Sequence, residues 1–441
     1  MPRLADARPP RRPAPPTDSP HCGAHRWVGQ RPLSRLLATA LLVALGLPAA
    51  AEASQCPRRE VSEEAAWALH SRLLTVDTHI DLSRGYASHQ HDPGRFTSAQ
   101  NDLPKMRAGG LDAAFLILYT GQGALDDAGF AAARANAEDD FQRIQRMIRA
   151  YPDQVGLARS ADEVEALHAK GRIAALLGME NAYPLGRSVQ DVAMWAARGV
   201  RYVGITHMGH NQFAGSSNPN AERGDDPEDP GLSELGRQLV DALNDHGVLI
   251  DVSHVGKRSM LQAIERSRAP VIASHSGASG VYANLRNLDD EQLDAIRDNG
   301  GVAQMVAFRA YVAELDPALS AGIAALRALY IGQGWEAASD ADLAAYSAGV
   351  AALRAKYPDV TLAQFVDHID YAVQRIGIEH VGIASDFDGG GGVQGWDDAS
   401  ETPNVTRELM ARCYSEAQIR ALWGGNLLRV MRAAEKAARR R

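Results

Sequence analysis

In VDTHIDL, residues Val76 to Leu82, a histidine and an aspartate stand two apart inside an otherwise apolar run. Other apolar runs also close on polar residues: Glu180 in GMEN, His207 in ITHMGHN, His254 in DVSHVG, His275 in ASHSG, and Asp386 with Asp388 in GIASDFDGG. Taken singly, such a histidine is more often a hydrogen-bonded core residue than a ligand, and Asp81 or Asp388 is as well placed to cap a following helix. Brought to one focus, several imidazoles and carboxylates would leave unpaired charge in a buried place, and a divalent metal removes that cost. Imidazole and carboxylate without thiolate suit zinc, and also manganese or cobalt. Residues i and i+2 of a strand share a face, so His79 and Asp81 can chelate one ion. His254 and His275 can hold a second, with the two oxygens of Glu180 bridging the pair. Two ions about 3.5 Å apart trap a hydroxide that is nucleophilic near neutral pH.

These residues need a scaffold that gathers them. Eight apolar or β-branched runs occur in order: TVDTHI, LDAAFLILY, RIAALLGME, RYVGITH, VLIDVSH, PVIASHS, GVAQMVAF and HVGIASD. Between most of them lie helical periods, among them FAAARANAEDDFQRIQRMIRAY, LSELGRQLVDALNDHG, LDDEQLDAIRDNG and FVDHIDYAVQRIG, several stopping at a glycine before the next run. Runs apolar on both faces imply a parallel sheet, and eight βα units imply an α/β fold of (β/α)8 TIM-barrel type. Catalytic groups of such barrels stand at the C-terminal ends of the strands, where six of the eight runs carry histidine or carboxylate. An open doubly wound sheet would want GxGxxG after its first strand, and none is there. An Ala- and Leu-rich helical insertion, roughly Arg309 to Asp359, follows the seventh strand and is expected over the barrel mouth. From Arg407 onward two helices are expected on the outside of the barrel, the second opening on a capping box from Ser415 to Gln418.

The chain has 441 residues, 45% hydrophobic and 23% charged, enough apolar material for a large core. A net charge of −8 argues against a nucleic-acid-binding surface, so a small polar ligand is the better expectation. The Pro- and Arg-rich start (ARPPRRPAPP) has no apolar period and reads as disordered. RPLSR, then LLATALLVALGLPAA, then Ala51-Glu52-Ala53 have the order of a Sec-type export signal cut after Ala53. The apolar run is shorter than the roughly 20 residues a membrane span needs. Residues 1–53 are therefore read as leader and 54–441 as the exported domain, periplasmic or secreted, with no stable membrane span after cleavage. Cleavage removes Cys22 and leaves Cys56 and Cys413, for which an oxidising compartment permits one bridge. Gln55 ahead of Cys56 disfavours lipidation.

VDTHIDL, GMEN, ITHMGHN, DVSHVG, ASHSG with LRN downstream, and GIASDFDGG, in this order, resemble the membrane dipeptidase (renal dipeptidase) family of binuclear zinc peptidases within the amidohydrolase-like barrels. The resemblance runs from about Glu64 to the GGNLLRV helix. It implies two Zn2+ ions held by His79, Asp81, Glu180, His254 and His275. It also implies substrate contact by His207, a carboxylate-binding role for Arg286, eleven residues after His275, and contact of Asp386 with the substrate amine and its proton. Thr78 and Ile80 depart from the Gly and Asn common in relatives, and His89, His91 and His210 have no family role, which bears on substrate preference.

The implied reaction is hydrolysis of a dipeptide. His207 would stabilise the oxyanion, Asp386 would pass a proton to the leaving amine, and Arg286 would clamp the free carboxylate in a bidentate pair. The resemblance also implies a homodimer, by analogy alone. Two other classes share some of these features. A barrel deaminase or lactonase would usually begin with HxH and place a bridging lysine after the fourth strand, where this chain has HxD and His207. A non-catalytic exported binding protein would have no use for a full ligand set.

Overall fold

The computed structural model describes residues 57–83, 85–89, 91–332 and 338–438. The leader expected over 1–53 lies outside them. Among the described residues nine strands form: β1 Val76–Ile80, β2 Ala113–Tyr119, β3 Val155–Leu157, β4 Ile173–Glu180, β5 Val200–Gly204, β6 Leu249–Asp251, β7 Ile272–Ser276, β8 Val302–Val306 and β9 Val381–Ala384. Eight of them pair in parallel in the order β1-β2-β4-β5-β6-β7-β8-β9. The ring closes where Asp81 N–H donates to Phe387 O (2.9 Å) and Asp386 N–H to His79 O (3.1 Å). The fold is a (β/α)8 barrel.

The short β3 was not expected. It pairs with Ile173–Ala175 of β4, on the flank where β5 joins only from Leu177 onward. β4 is long enough to need two partners on that side, and VGL satisfies its first ladder positions.

Helices alternate with the strands as the period requires. Asp126 caps Asp127–Ala150, Ser233 caps Glu234–Asp245, and Asp289 opens Asp290–Asp298 with a capping box closed by Gln292. The barrel wall buries almost every strand residue, as expected of a parallel sheet covered by helices.

The insertion after β8 forms the helices Arg309–Val312, Pro317–Tyr330 and Asp340–Lys356. The two long ones interlock at glycines: a Cβ on Gly322 would stand 2.7 Å from Leu353, and one on Gly349 2.8 Å from Leu326. Buried Arg309 anchors the base, pairing with Asp359 (3.0 Å) and reaching Gly392 O and Asp397 in the segment after β9.

The C-terminal helices depart from expectation. They are Pro403–Ala411, Glu416–Arg420 with the Ser415/Gln418 capping box, and Asn426–Ala437. The last does not lie against the outer wall. Leu427, Leu428, Val430, Met431 and Ala434 cluster with Val76, Ala113, Leu249, Ile272 and Val302, the first residues of five strands, so it closes the floor. Those inward-facing apolar strand starts would otherwise meet water at the end opposite the polar strand ends.

Candidate active site

At the other end of the barrel, each candidate residue except Arg286, which stands in the loop after β7, sits at a strand end or just past it. His79 lies in β1 and Glu180 ends β4, while Asp81, His207, His254 and Asp386 follow β1, β5, β6 and β9 by one to three residues. His275 is in β7. Asn181, His254 and Asp386 adopt left-handed φ values of 72°, 65° and 58°, a costly backbone for non-glycine residues and one concentrated where function over-determines the chain. Gly389 allows the close approach, since a Cβ there would stand 2.1 Å from Asp81 Oδ2 and 2.3 Å from Asp386 Oδ1.

Glu180 is the centre of the arrangement. Its Oε2 lies 3.5 Å from His79 Nε2, which is 3.6 Å from Asp81 Oδ2. Its Oε1 lies 3.0 Å from His254 Nε2 and 3.3 Å from His275 Nε2, and those two nitrogens are 2.9 Å apart. The two oxygens of one carboxylate thus face different histidines, Oε2 towards His79 and Oε1 towards His254 and His275, whose ring also lies 3.7 Å from that of His79. His207 Nε2 stands 4.0 Å from Oε1, its ring edge-on to Tyr119 (5.0 Å). Among the described residues, three groups of ligand atoms lie close enough to share an ion: His79, Glu180 and His275; Glu180, His207 and His254; and His79, Asp81 and Asp386.

The donor chemistry fits divalent ions. Donors about 2.1 Å from one tetrahedral ion stand roughly 3.4 Å apart, close to the separations seen in both sets. His79 Nε2 is buried with no hydrogen-bond partner, although two carboxylates face it. Two histidines are oriented from behind: His79 Nδ1 meets the Tyr202 hydroxyl (2.9 Å), and His275 Nδ1 meets Ser274 Oγ (2.8 Å), which donates to Asp251 (2.7 Å). Such outer partners fix the tautomer and turn the other nitrogen inward.

The electrostatics are those of a packed set of charges. Burial opposes ionisation of Glu180, yet the His79 and His207 imidazoles and the hydrogen bonds from His254 and His275 hold its carboxyl well below the usual range. Burial also opposes charge on His79, but Glu180 and Asp81 hold it well above the ordinary imidazole value. Burial drives His254 and His275 well below theirs, helped by Arg286 and His79 respectively. Neutral imidazoles are the ligating form. Burial raises Asp386 well above the usual carboxylate range.

Arg286 is 2% exposed, far from the surface arginine its place near a helix start would suggest. It donates to His275 O (2.9 Å), lies over the Tyr311 ring (5.3 Å), and its Nε has no acceptor. An arginine so buried, with donor capacity left over, is suited to an anion.

Asp388 does not join the centre. Its oxygens accept Gln100 N–H (2.9 Å) and Asn101 N–H (3.1 Å), tying the segment after β1 to the one after β9. His210 is occupied in its own loop, accepting Ser216 N–H (2.9 Å) and donating to Asp226 O (2.9 Å), and His91 meets Ser83. Sequence reasoning missed Tyr202, Asp77, Asp251, Ser274 and Tyr311. The aspartates carried a signal: each is a charged residue within an apolar strand, two or three positions before a candidate histidine.

Residues 63–441 match the family model described as membrane dipeptidase, peptidase family M19. The chain belongs to the membrane dipeptidase family. Members named as dipeptidases are similar along most of it. Dipeptidase tcpJ of Claviceps purpurea is 30% identical over 82% of this chain and 77% of its own length, and Dipeptidase aclJ of Aspergillus oryzae is 30% identical over 84% and 80%. Among solved structures, the probable dipeptidase PvdM of Pseudomonas aeruginosa shares 36% identity at a TM-score of 0.76, over 85% of this chain and 99% of that one. A metallopeptidase of Rhodobacter sphaeroides, liganded with a phosphinate mimic of the dipeptide L-Ala-D-Ala, shares the barrel at 22% identity and a TM-score of 0.65, over 82% and 99%.

Proposed function

We propose that this metallo-dipeptidase is a two-zinc enzyme hydrolysing dipeptides, with His79, Asp81 and Glu180 holding one ion and His254, His275 and Glu180 the other. The observation that carries this is Glu180, whose Oε2 faces His79 and whose Oε1 faces His254 and His275. When bound, the zinc ions supply an activated water nucleophile and polarise the scissile carbonyl. The residues of the chain do the rest. Arg286 receives the free C-terminal carboxylate of the substrate, which limits substrates to those ending one residue past the scissile bond. His207 donates a hydrogen bond to the carbonyl oxygen as it gains charge. Asp386, whose carboxyl burial raises well above the usual range, contacts the substrate amine and delivers the proton to the leaving nitrogen.

We further propose export and an oxidising compartment for the mature domain. Cys413 is disulfide-bonded, as an oxidising compartment permits, and Cys56 is the other cysteine that export would leave. Among the described residues no helix is long and apolar enough to cross a membrane. A homodimer is the assembly the family resemblance suggests.

The test is a panel of L,L- and L,D-dipeptides offered to zinc-loaded protein, with free amino acids and bound metal quantified. Release of both amino acids at two zinc ions per chain supports the reading. Deamination or lactone opening without peptide cleavage, or full activity in metal-free protein, refutes it.

A further inference from the structure

We propose that the Tyr202 hydroxyl is a positioning group for the metal centre, holding His79 in the tautomer whose unprotonated Nε2 faces Asp81 and Glu180. This rests on the two-ion reading above. Tyr202 lies in β5 with its ring fully buried inside the barrel. Gly178 on β4 makes the room, since a Cβ there would come within 2.3 Å of the ring, and Phe115 on β2 packs against it with centroids 4.8 Å apart. The phenol is therefore placed by the interior layer of the barrel and not by the loops around the mouth.

Its hydroxyl bonds with His79 Nδ1 (2.9 Å) and to Thr78 O (3.2 Å), and the Ser274 side chain lies beside it as a donor. A carbonyl can only accept, so the phenol proton goes to Thr78, and the proton between oxygen and imidazole must sit on His79 Nδ1. A neutral ring protonated there presents a bare Nε2. That nitrogen is the buried atom with no hydrogen-bond partner, 3.6 Å from Asp81 Oδ2 and 3.5 Å from Glu180 Oε2. Without the phenol, those two carboxylates would draw the ring proton to Nε2, and the lone pair needed by an ion would be spent on a hydrogen bond. The other donor set has its own outer partner, because His275 Nδ1 has Ser274 Oγ behind it and Asp251 holds that serine whether or not the phenol is there. Losing the hydroxyl should therefore weaken one ion and spare the other.

Tyr202→Phe keeps the ring and its packing while removing the hydroxyl. Metal-free protein is titrated with zinc against a chromophoric chelator, and an unchanged thermal melt of the metal-free variant checks that it folds. The parent should bind two ions. Y202F should bind one as tightly and the other about 10–100-fold more weakly, the usual cost of losing an outer-sphere partner. Side-chain nitrogen NMR shifts of metal-free protein, at a pH where the ring is neutral, should move the His79 proton from Nδ1 to Nε2. Unchanged affinity for both ions, equal weakening of both, or an unmoved His79 proton overturns the proposal. A parent that takes up one ion refutes the two-ion reading instead, and the nitrogen shifts still decide the role of Tyr202.

Discussion

Asp251 offers a substitution whose two versions should come apart. β6 and β7 share one paired position, Asp251 with Ile272, so little ladder joins the strands that deliver His254 and His275. The Asp251 carboxylate supplies the missing bonds: Oδ1 accepts the N–H groups of Ser253 (3.0 Å) and Ser274 (2.9 Å), and Oδ2 accepts the Ser274 hydroxyl (2.7 Å). Asp251→Ala leaves three buried donors without an acceptor. At about 1–3 kcal/mol each, that loss is a large part of the roughly 5–15 kcal/mol that holds a domain folded. Asp251→Asn keeps the amide oxygen for the two N–H groups, but its NH2 now donates to Ser274 Oγ. The serine proton must then turn to His275 Nδ1, which forces the His275 proton onto Nε2, the nitrogen that faces Glu180. D251N should therefore stay close to the parent in urea unfolding of the metal-free protein. Its affinity for the ion between His254, His275 and Glu180 should fall about 10–100-fold, or roughly 1.4–2.8 kcal/mol. Chelator competition measures the second quantity. A D251N protein as unstable as D251A, or one binding both ions like the parent, would refute the reasoning.

His254→Ala should abolish hydrolysis and lower bound zinc by metal analysis, and retained full activity would sink the binuclear reading. Arg286→Ala should raise KM for dipeptides by about one to two orders of magnitude, the value of a charged hydrogen bond, with zinc content unchanged; steady-state kinetics showing the parent KM would remove Arg286 from the substrate. Asp140, buried in the helix after β2, has its carboxyl pushed up to about 7, chiefly by burial. The folded state then binds a proton that the unfolded state releases near pH 4, so this group lowers stability as pH rises from about 4 to 7. Asp140→Asn should flatten that fall, seen as a urea midpoint that declines less than the parent's between pH 5 and 8; identical declines would show that Asp140 is not the source.

Much of the barrel could be read from the sequence because a strand buried on both faces tolerates few polar residues, so each histidine or carboxylate closing a run stood out. That same logic brought His79, Glu180, His207, His254, His275 and Asp386 into one list before any geometry was known. It failed where the chain leaves the strand. Asp386 and Asp388 are two apart, and alternation would send both to the centre. β9 ends at Ala384, and both aspartates have left-handed φ, 58° and 62°, so alternation no longer applies and Asp388 turns to Gln100 and Asn101. Tyr202 went unnoticed for the opposite reason. A tyrosine in a strand is unremarkable until a neighbouring glycine, Gly178, is seen to make room for its ring.

The two thinnest places in the ring explain why these strand ends can meet at all. A full ladder would fix the ends of neighbouring strands in the sheet, pointing along the barrel axis. At the β1–β9 closure only the backbone bonds around Ile80 and Phe387 join the strands, and at β6–β7 a single pair does. Each seam holds a buried aspartate that bonds across it. Asp77 Oδ1 accepts His79 N–H and Ser385 N–H, both at 3.1 Å, as Asp251 does for Ser253 and Ser274. Ser385 and Ser274 stand immediately before Asp386 and His275. The seams thus deliver His79, Asp81 and Asp386 on one side and His254 and His275 on the other. Breaking the ladder frees these ends to bend inward, His254 and Asp386 through left-handed backbone, and the carboxylate clasps return part of the lost hydrogen bonding. Glu180, on a strand with unbroken pairing to β2, can stay straight because it needs only to reach the space between them.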